Sequence, residues 1–268
     1  MKQSSMTHYF KVLNKPIPIV HAVFPALALI AALVVFFTQT NLLAFQITQE
    51  TLSPLGEPFW TGCTLLGDAL VGPLFLIPFL KERPRLIWEG TLAATIATIF
   101  THLIKPLAHV ARPPVTLDIV VMGPRLMAGA FPSGHTTTAF AVLGLLVMVG
   151  VLRGVGPVSI GFMVAALVGL SRIVAGVHWP LDVLVGAAGG WVSAILAICL
   201  AERWSFGART WPIRLQLLIL VLIAFYDLLI HDTGYPSGLV LQRLVALLGL
   251  LWLAWDAIEG YYLTDRTA

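Results

Sequence analysis

The chain has 268 residues, of which 58% are hydrophobic and 11% are charged, and its mean hydropathy is +0.91. These polar side chains are too few to cover the surface of a soluble globule of this size. The composition therefore excludes an ordinary soluble protein and predicts one that is largely solvated by a lipid bilayer. The formal net charge of +3 would suit an anionic partner, but basic residues in membrane proteins mostly mark cytoplasmic loops, and we expect no binding to nucleic acid.

Eight segments have the length needed to cross the membrane, since a hydrocarbon core of about 30 Å requires about 20 mostly apolar residues in a helix. In chain order they are 17–37, 62–80, 86–104, 134–152, 157–177, 182–200, 213–230 and 238–257. Residues 41–60 contain Pro54, Gly56 and Pro58, which predicts a loop with a short helix on the membrane surface. The sequence therefore predicts an all-α, polytopic membrane bundle.

The basic residues divide unevenly between the two predicted membrane faces. If the N-terminus is cytoplasmic, the positive-inside rule is obeyed by Lys2, Lys11, Lys15, Lys81, Arg83, Arg85, Arg153, Arg203, Arg209, Arg214 and Arg266. Lys105, Arg112, Arg125 and Arg172 lie at the opposite face and need another explanation. Arg243 falls inside the last predicted helix, and Asp227 in the preceding one is its candidate partner.

Three polar segments interrupt the apolar background, and the predicted topology brings all three to the same membrane face. They read KPLAHVARP over 105–113, FPSGH over 131–135 and SRIVAGVHWPLD over 171–182. Three of the four basic residues that break the positive-inside rule belong to these segments. The convergence predicts a single functional site.

Residue types in these segments suit the binding of a phosphate ester, whose transition state carries negative charge on its equatorial oxygens. Lys105 and Arg112 are seven positions apart, about two helical turns, so we expect them to share one face of a helix end. Arg172 adds a planar fork for two oxygens. Ser133 is placed to cap a helix whose free N–H groups can bind an anion, and Gly134 permits close backbone approach.

Two histidines are available for the chemistry. His178 stands four residues before Asp182, and Pro180 between them favours a new helix start, so the carboxylate is expected to fix one ring nitrogen and leave the other free to attack phosphorus. His135 is placed to protonate the leaving oxygen. The basic residues supply the charge stabilisation, so no metal or cofactor is expected. The two cysteines, Cys63 and Cys199, predict neither a disulfide framework nor a metal site.

These segments match the signature K-x6-R-P, P-S-G-H and S-R-x5-H-x3-D, and the chain resembles the type 2 phosphatidic acid phosphatase superfamily. The resemblance implies a six-helix core. It implies phosphate binding by Lys105, Arg112, Ser133, Gly134 and Arg172, with His135 as acid, His178 as the nucleophile that forms a phosphohistidine, and Asp182 as its partner. We accordingly divide the chain into a cytoplasmic segment (1–16), a phosphatase core (17–204), and two further transmembrane helices with a short cytoplasmic tail (205–268).

The predicted function is hydrolysis of a phosphomonoester or diphosphate on a lipid such as undecaprenyl diphosphate, phosphatidate, phosphatidylglycerophosphate or a lipid A-type glycolipid. Short loops without an appended soluble domain favour the bacterial cytoplasmic membrane, with the site facing the periplasm. Transfer of the phosphate to a second lipid, a vanadate-dependent haloperoxidase and a non-catalytic lipid-phosphate transporter are the alternatives. The head group, the oligomeric state and the role of the two last helices are left open by the sequence.

Overall fold

The computed structural model describes residues 19–265, and within this range every regular element is helical. Ten of the elements that we label are α1 (Val23–Phe37), α2 (Asn41–Leu52), α3 (Glu57–Leu65), α4 (Val71–Leu74), α5 (Leu86–Ala108), α6 (Pro113–Thr116), α7 (Gly134–Met148), α8 (Val155–Val174), α9 (Pro180–Arg203) and α10 (Thr210–Leu229). The last is α11 (Leu239–Asp265), and short 3-10 turns lie at Ile19–Ala22, Ser53–Leu55, Ile77–Phe79, Ser205–Ala208 and Pro236–Gly238. The predicted segment 1–16 and Arg266 lie outside the described residues.

Six of the described helices are long and apolar enough to cross a membrane, namely α1, α5, α8, α9, α10 and α11. The shorter apolar helix α7 packs between α5, α8 and α9. The chain is therefore a multi-pass membrane protein, and the predicted all-α bundle is confirmed. The short helix that we expected within 41–60 is α2, whose Gln49 side chain donates to the backbone carbonyls of Ile173 and Val174 at the end of α8 (2.8 and 2.9 Å).

The predicted helix over 62–80 is wrong as a continuous element. The structure breaks it into α3, α4 and the turn Ile77–Phe79, because Pro73 and Pro78 lack the N–H that a helix needs and Gly67 lies at the first break. Gly67 is packed so tightly that a Cβ atom there would lie 2.7 Å from the His135 carbonyl oxygen. The interrupted segment (57–80) still joins the two ends of the bundle, since Lys81 at its far end pairs with Asp256 (3.8 Å).

Helices α7 and α9 form the most extensive contact in the bundle, and glycines let them approach closely. A Cβ atom on Gly190 would lie 2.2 Å from the carbonyl oxygen of Thr137, and one on Gly186 would lie 2.7 Å from that of Ser133. A Cβ atom on Gly144 of α7 would lie 2.9 Å from the methyl group of Ala194 in α9. This packing fixes the start of α7 against the start of α9.

Helices α10 and α11 pack on α4, and α10 also contacts α5. The buried Gln242 amide donates to the carbonyl oxygens of Asp227 and His231 (3.2 and 3.0 Å) and faces the Asp227 carboxylate (3.4 Å). The expected pairing of Arg243 with Asp227 is not formed. Successive helical residues differ by about 100° in direction, so Gln242 takes the inward position and Arg243 is exposed.

Gly190→Ala is expected to lower the free energy of unfolding by about 1–3 kcal/mol, the usual cost of overpacking, because its new methyl group would meet backbone rather than a movable side chain. Thermal unfolding in detergent measures the effect. The matched control is Gly156→Ala in α8, where a Cβ meets nothing within 4 Å and stability should be unchanged or slightly raised. Equal losses in both variants would contradict the close crossing of α7 and α9.

Candidate active site

The three polar segments meet at one end of the bundle, as predicted. The backbone N–H of Ser133 donates to the carbonyl oxygen of Asp182 (3.0 Å), which joins the second segment to the third. A guanidinium nitrogen of Arg112, Nη1, donates to the carbonyl oxygen of Val177 (3.0 Å), which joins the first segment to the third.

Arg112 does not share a helix face with Lys105, so that expectation was wrong. Helix α5 ends at Ala108, two residues after Pro106, and His109 takes a left-handed conformation with φ of 50°. Arg112 is extended because it precedes Pro113, which disfavours helical backbone. The two side chains are brought together instead through Gly129: its carbonyl accepts from Arg112 Nη2 (3.3 Å), and Lys105 Cδ lies 3.7 Å from the position of a Gly129 Cβ.

The Arg112 guanidinium is buried and held by backbone carbonyls. Besides Val177 and Gly129, Ala128 accepts from its Nε (2.9 Å). Its Nη1 also lies 3.4 Å from Nε2 of His178. Since arginine can only donate hydrogen bonds, this contact requires a lone pair on Nε2 of His178.

His178 and Asp182 form the pair that the sequence predicts. Helix α9 begins at Pro180, and Asp182 Oδ2 in its first turn lies 3.3 Å from His178 Nδ1 while accepting from the backbone N–H of Trp179 (2.8 Å). With Asp182 at Nδ1 and Arg112 at Nε2, the hydrogen-bond partners assign the proton to Nδ1. The imidazole therefore presents a basic Nε2.

Burial lowers the pKa of His178 well below its usual value of 6.5, and the positive charges of Arg112, Arg172 and Lys105 lower it further. A buried imidazole among cations is costly to protonate. His178 is therefore neutral at pH 7, which is the state that a nucleophile needs.

The start of α7 presents unpaired backbone donors, as an anion site requires, and we call it the anion cradle. Ser133 caps the helix in an extended conformation, and the N–H groups of Gly134, His135 and Thr136 have no acceptor among the described residues. The hydroxyl of Ser133 accepts from Thr136 Oγ1 (2.9 Å) and keeps its own proton available. Lys105 Nζ lies 3.9 Å from the position of a Gly134 Cβ, so its ammonium group adjoins this helix start.

A cavity of about 220 Å³ extends from this cradle between α5, α7 and the interrupted segment. Lys105, Gly134 and His135 lie at its polar end. Most of the remaining lining is small or apolar and includes Gly90, Ala93, Ala94, Ala97, Ala141, Val142 and Leu145. His135 thus lies between the cationic cluster and an apolar chamber.

Arg172 is also buried at the site, and two of its partners were not predicted. Its Nη1 donates to the hydroxyls of Tyr235 (2.7 Å) and Thr64 (3.4 Å). Both hydroxyls are far from Arg172 in sequence and outside the three segments. No sequence signal distinguishes them, because only the packing of α3 and of the loop before α11 brings them to this position.

Comparison with known proteins agrees with the resemblance. The family model described as PAP2 superfamily matches residues 87–206. The chain is similar to the crystal structure of Aquifex aeolicus LpxE, with 32% sequence identity and a TM-score of 0.54. The alignment covers 59% of this chain and 94% of the LpxE chain. The chain belongs to the PAP2 superfamily. Helices α10 and α11 lie outside the matched residues.

Two further relatives match at lower sequence identity or over a shorter stretch of the chain. A Bacillus subtilis structure, described as a transmembrane PAP2 type phosphatidylglycerolphosphate phosphatase, shares the fold at 23% identity, covering 70% of this chain and 98% of its own (TM-score 0.50). A Porphyromonas gingivalis protein named Lipid A 1-phosphatase is 46% identical over 63 residues, which are 24% of this chain and 14% of that protein. The chain spans less than two thirds of the length of the curated relatives it matches.

Lys105→Ala is expected to weaken the binding of orthovanadate, a phosphate-like oxyanion, by about 10- to 100-fold, the worth of one charge-assisted hydrogen bond. Lys105 makes no hydrogen bond to the described residues, so thermal stability should change little. The matched control is Lys81→Ala, at the far end of the bundle beside Asp256 and Glu259, which should bind orthovanadate as wild type does. Titration calorimetry in detergent makes the comparison, and equal affinities in all three proteins would exclude Lys105 from the anion site.

Proposed function

We propose that this chain is an integral membrane phosphatase that hydrolyses a lipid phosphomonoester or diphosphate through a phosphohistidine on His178. The observation that carries the proposal is the orientation of this buried imidazole: Asp182 holds Nδ1 at 3.3 Å, and Arg112 faces Nε2 at 3.4 Å. The ring is thereby neutral, oriented and directed into a cluster of cations.

In the first step, the Nε2 lone pair gives up its 3.4 Å contact with Arg112 Nη1 and attacks phosphorus, and the bond between phosphorus and the lipid oxygen breaks. His135 carries a proton once the negative charge of the bound phosphate offsets the neighbouring cations. It donates this proton to the leaving oxygen, so the lipid leaves as an alcohol, or as a monophosphate if the substrate is a diphosphate. Asp182 stabilises the positive charge that develops on the His178 ring. The position of His135, in the first turn of α7 beside Lys105 and Gly134, supports this role.

In the second step, a water molecule attacks the phosphohistidine, and the bond between phosphorus and nitrogen breaks to release inorganic phosphate. His135, now neutral, takes the proton from the attacking water and returns to its starting state. His178 leaves with its lone pair restored. No oxidant, reductant or metal ion is needed for the balance.

Phosphate binding is assigned to Lys105, Arg112, Ser133, Gly134 and Arg172. The cations offset the charge of the equatorial oxygens, and the N–H groups at the start of α7 direct further donors at them. The position of Arg112 is fixed before substrate arrives, because its guanidinium already donates to three backbone carbonyls. A preorganised site of this kind avoids reorganisation during the reaction.

A lipid substrate is supported by the apolar cavity that adjoins the cradle within the membrane-spanning part of the bundle. The relatives named Lipid A 1-phosphatase support a phosphorylated glycolipid as the first substrate to test. Undecaprenyl diphosphate, phosphatidate and phosphatidylglycerophosphate complete the panel.

The proposed location is the bacterial inner membrane, with the site at the periplasmic face. Helix α9 starts at the site and ends at Arg203. It has 24 residues and is therefore about 36 Å long at 1.5 Å per residue. Arg85 precedes α5, whose opposite end carries Lys105. The end remote from the site therefore carries basic residues such as Lys81, Arg85 and Arg203, which the positive-inside rule associates with the cytoplasm.

The decisive experiment measures phosphate release from the lipid panel in detergent with EDTA, comparing wild type with His178→Ala. We expect wild-type activity to survive EDTA and the variant to lose at least about 10³-fold in kcat, because no other group supplies the nucleophile. The control is His109→Asn, an exposed residue whose left-handed backbone asparagine tolerates. Wild-type activity that EDTA abolishes would sink the metal-free mechanism, and phosphate transfer without release would identify a transferase.

Asp182→Asn tests the orientation of the imidazole. An amide oxygen can still accept from Trp179, but its NH₂ group would then face Nδ1 and move the imidazole proton to Nε2. By analogy with tautomer reversal in serine proteases, we expect kcat to fall by about 10³- to 10⁴-fold. Orthovanadate affinity should remain within a few-fold of wild type. A variant with normal kcat would show that Asp182 has no part in the chemistry.

A further inference from the structure

Helices α10 and α11 bring one hydroxyl into the phosphate site, that of Tyr235. Tyr235 lies in the connection between these helices and is only 3% exposed. Its oxygen accepts from Arg172 Nη1 at 2.7 Å, and its ring centroid lies 5.5 Å from the guanidinium carbon. We propose that Tyr235 is a positioning residue that orients Arg172 for phosphate, an inference that rests on the proposed function.

The distribution of hydrogen bonds around Arg172 carries the argument. Tyr235 and Thr64 both bind Nη1, whereas Nε is buried without any partner and Nη2 has no acceptor among the described residues. A buried donor without an acceptor is costly unless a ligand supplies one. The Nε and Nη2 atoms form one edge of the guanidinium plane, which matches two oxygens of a phosphate group. Tyr235 thus fixes one edge of the fork and leaves the other for the substrate.

Close glycine packing holds the chain around Tyr235, at Gly123 against its ring and at the preceding Gly234 against Pro124. Gly123, at φ of 80°, packs against the ring so closely that a Cβ there would lie 2.3 Å from Tyr235 Cε1. Gly234, at φ of 78°, meets Pro124, where a Cβ would lie 2.4 Å from Cγ. The loop that joins the first two motif segments is therefore packed against the connection that carries Tyr235.

The same connection is tied to the rest of the bundle. The Gln242 amide on α11 holds the carbonyl of His231 (3.0 Å), and Ser237 donates to the Glu57 carboxylate (3.3 Å). Gly238 lies against the backbone of Thr61 in α3. Helices α10 and α11, which lie outside the residues matched by the superfamily, thus hold Tyr235 in position.

Tyr235→Phe separates orientation of Arg172 from simple packing, because it keeps the ring and removes only the oxygen. We expect kcat/KM and orthovanadate affinity to fall together by about 10- to 100-fold, the range for a hydrogen bond to a charged group, with little change in thermal stability. The matched control is Tyr226→Phe on α10, an exposed tyrosine of the same helical hairpin. It should behave as wild type.

A double-mutant cycle on orthovanadate binding supplies a readout that a merely structural role would not move. In an Arg172→Lys background, Tyr235→Phe should change affinity less than twofold, because the fork that Tyr235 orients is gone. If Tyr235 only fills space, its substitution should cost the same factor in both backgrounds. An equal cost would overturn the positioning role, even if the single variant is impaired.

The outcomes also separate this inference from the proposed function. An active wild type with an equally active Tyr235→Phe variant would reject the tyrosine role and leave hydrolysis intact. A wild type that releases no phosphate but binds orthovanadate in a Tyr235-dependent and Arg172-dependent way would keep the tyrosine role and reject hydrolysis. Failure of wild type both to release phosphate and to bind orthovanadate would overturn both.

Discussion

Three cationic side chains held together in a partly dehydrated site are the constraint on which this structure depends. Lys105, Arg112 and Arg172 repel one another more strongly than they would in water, and Asp182 offsets only part of that charge. The fold meets the cost with dipoles: backbone carbonyls surround Arg112, and a phenolic oxygen holds Arg172. The resulting excess of positive charge is what the proposed phosphate would neutralise.

Backbone contact between α7 and α9 converts this charge cluster into a defined geometry. At Gly186 and Gly190 the two helices are so close that only the hydrogen atom of a glycine fits against the carbonyls of Ser133 and Thr137. The anion cradle at one helix start is thereby fixed against the His178–Asp182 pair at the other. Residues with no chemical role thus set the distances among those that have one.

The sequence predicts those parts of the fold and site that depend on local pattern. Hydropathy locates the six long helices, although it also predicts a continuous span over 62–80 that the structure breaks, and motif spacing identifies His178, Asp182 and the start of α7. It does not predict that Arg112 leaves the helix of Lys105, although Pro106 and Pro113 are the physical cause. Tyr235 could not be predicted, because its contact with Arg172 depends on how distant helices pack rather than on any residue near it in the chain.

The break in the segment 57–80 has a consequence for the bilayer around it. Loops and 3-10 turns at membrane depth leave backbone N–H and C=O groups that hydrocarbon cannot satisfy. Helix α10 packs against α4, and α11 packs against both α4 and the turn Ile77–Phe79, so the last two helices keep lipid tails away from the interrupted backbone. Loss of α10 and α11 alone would leave the polar backbone of this segment against hydrocarbon.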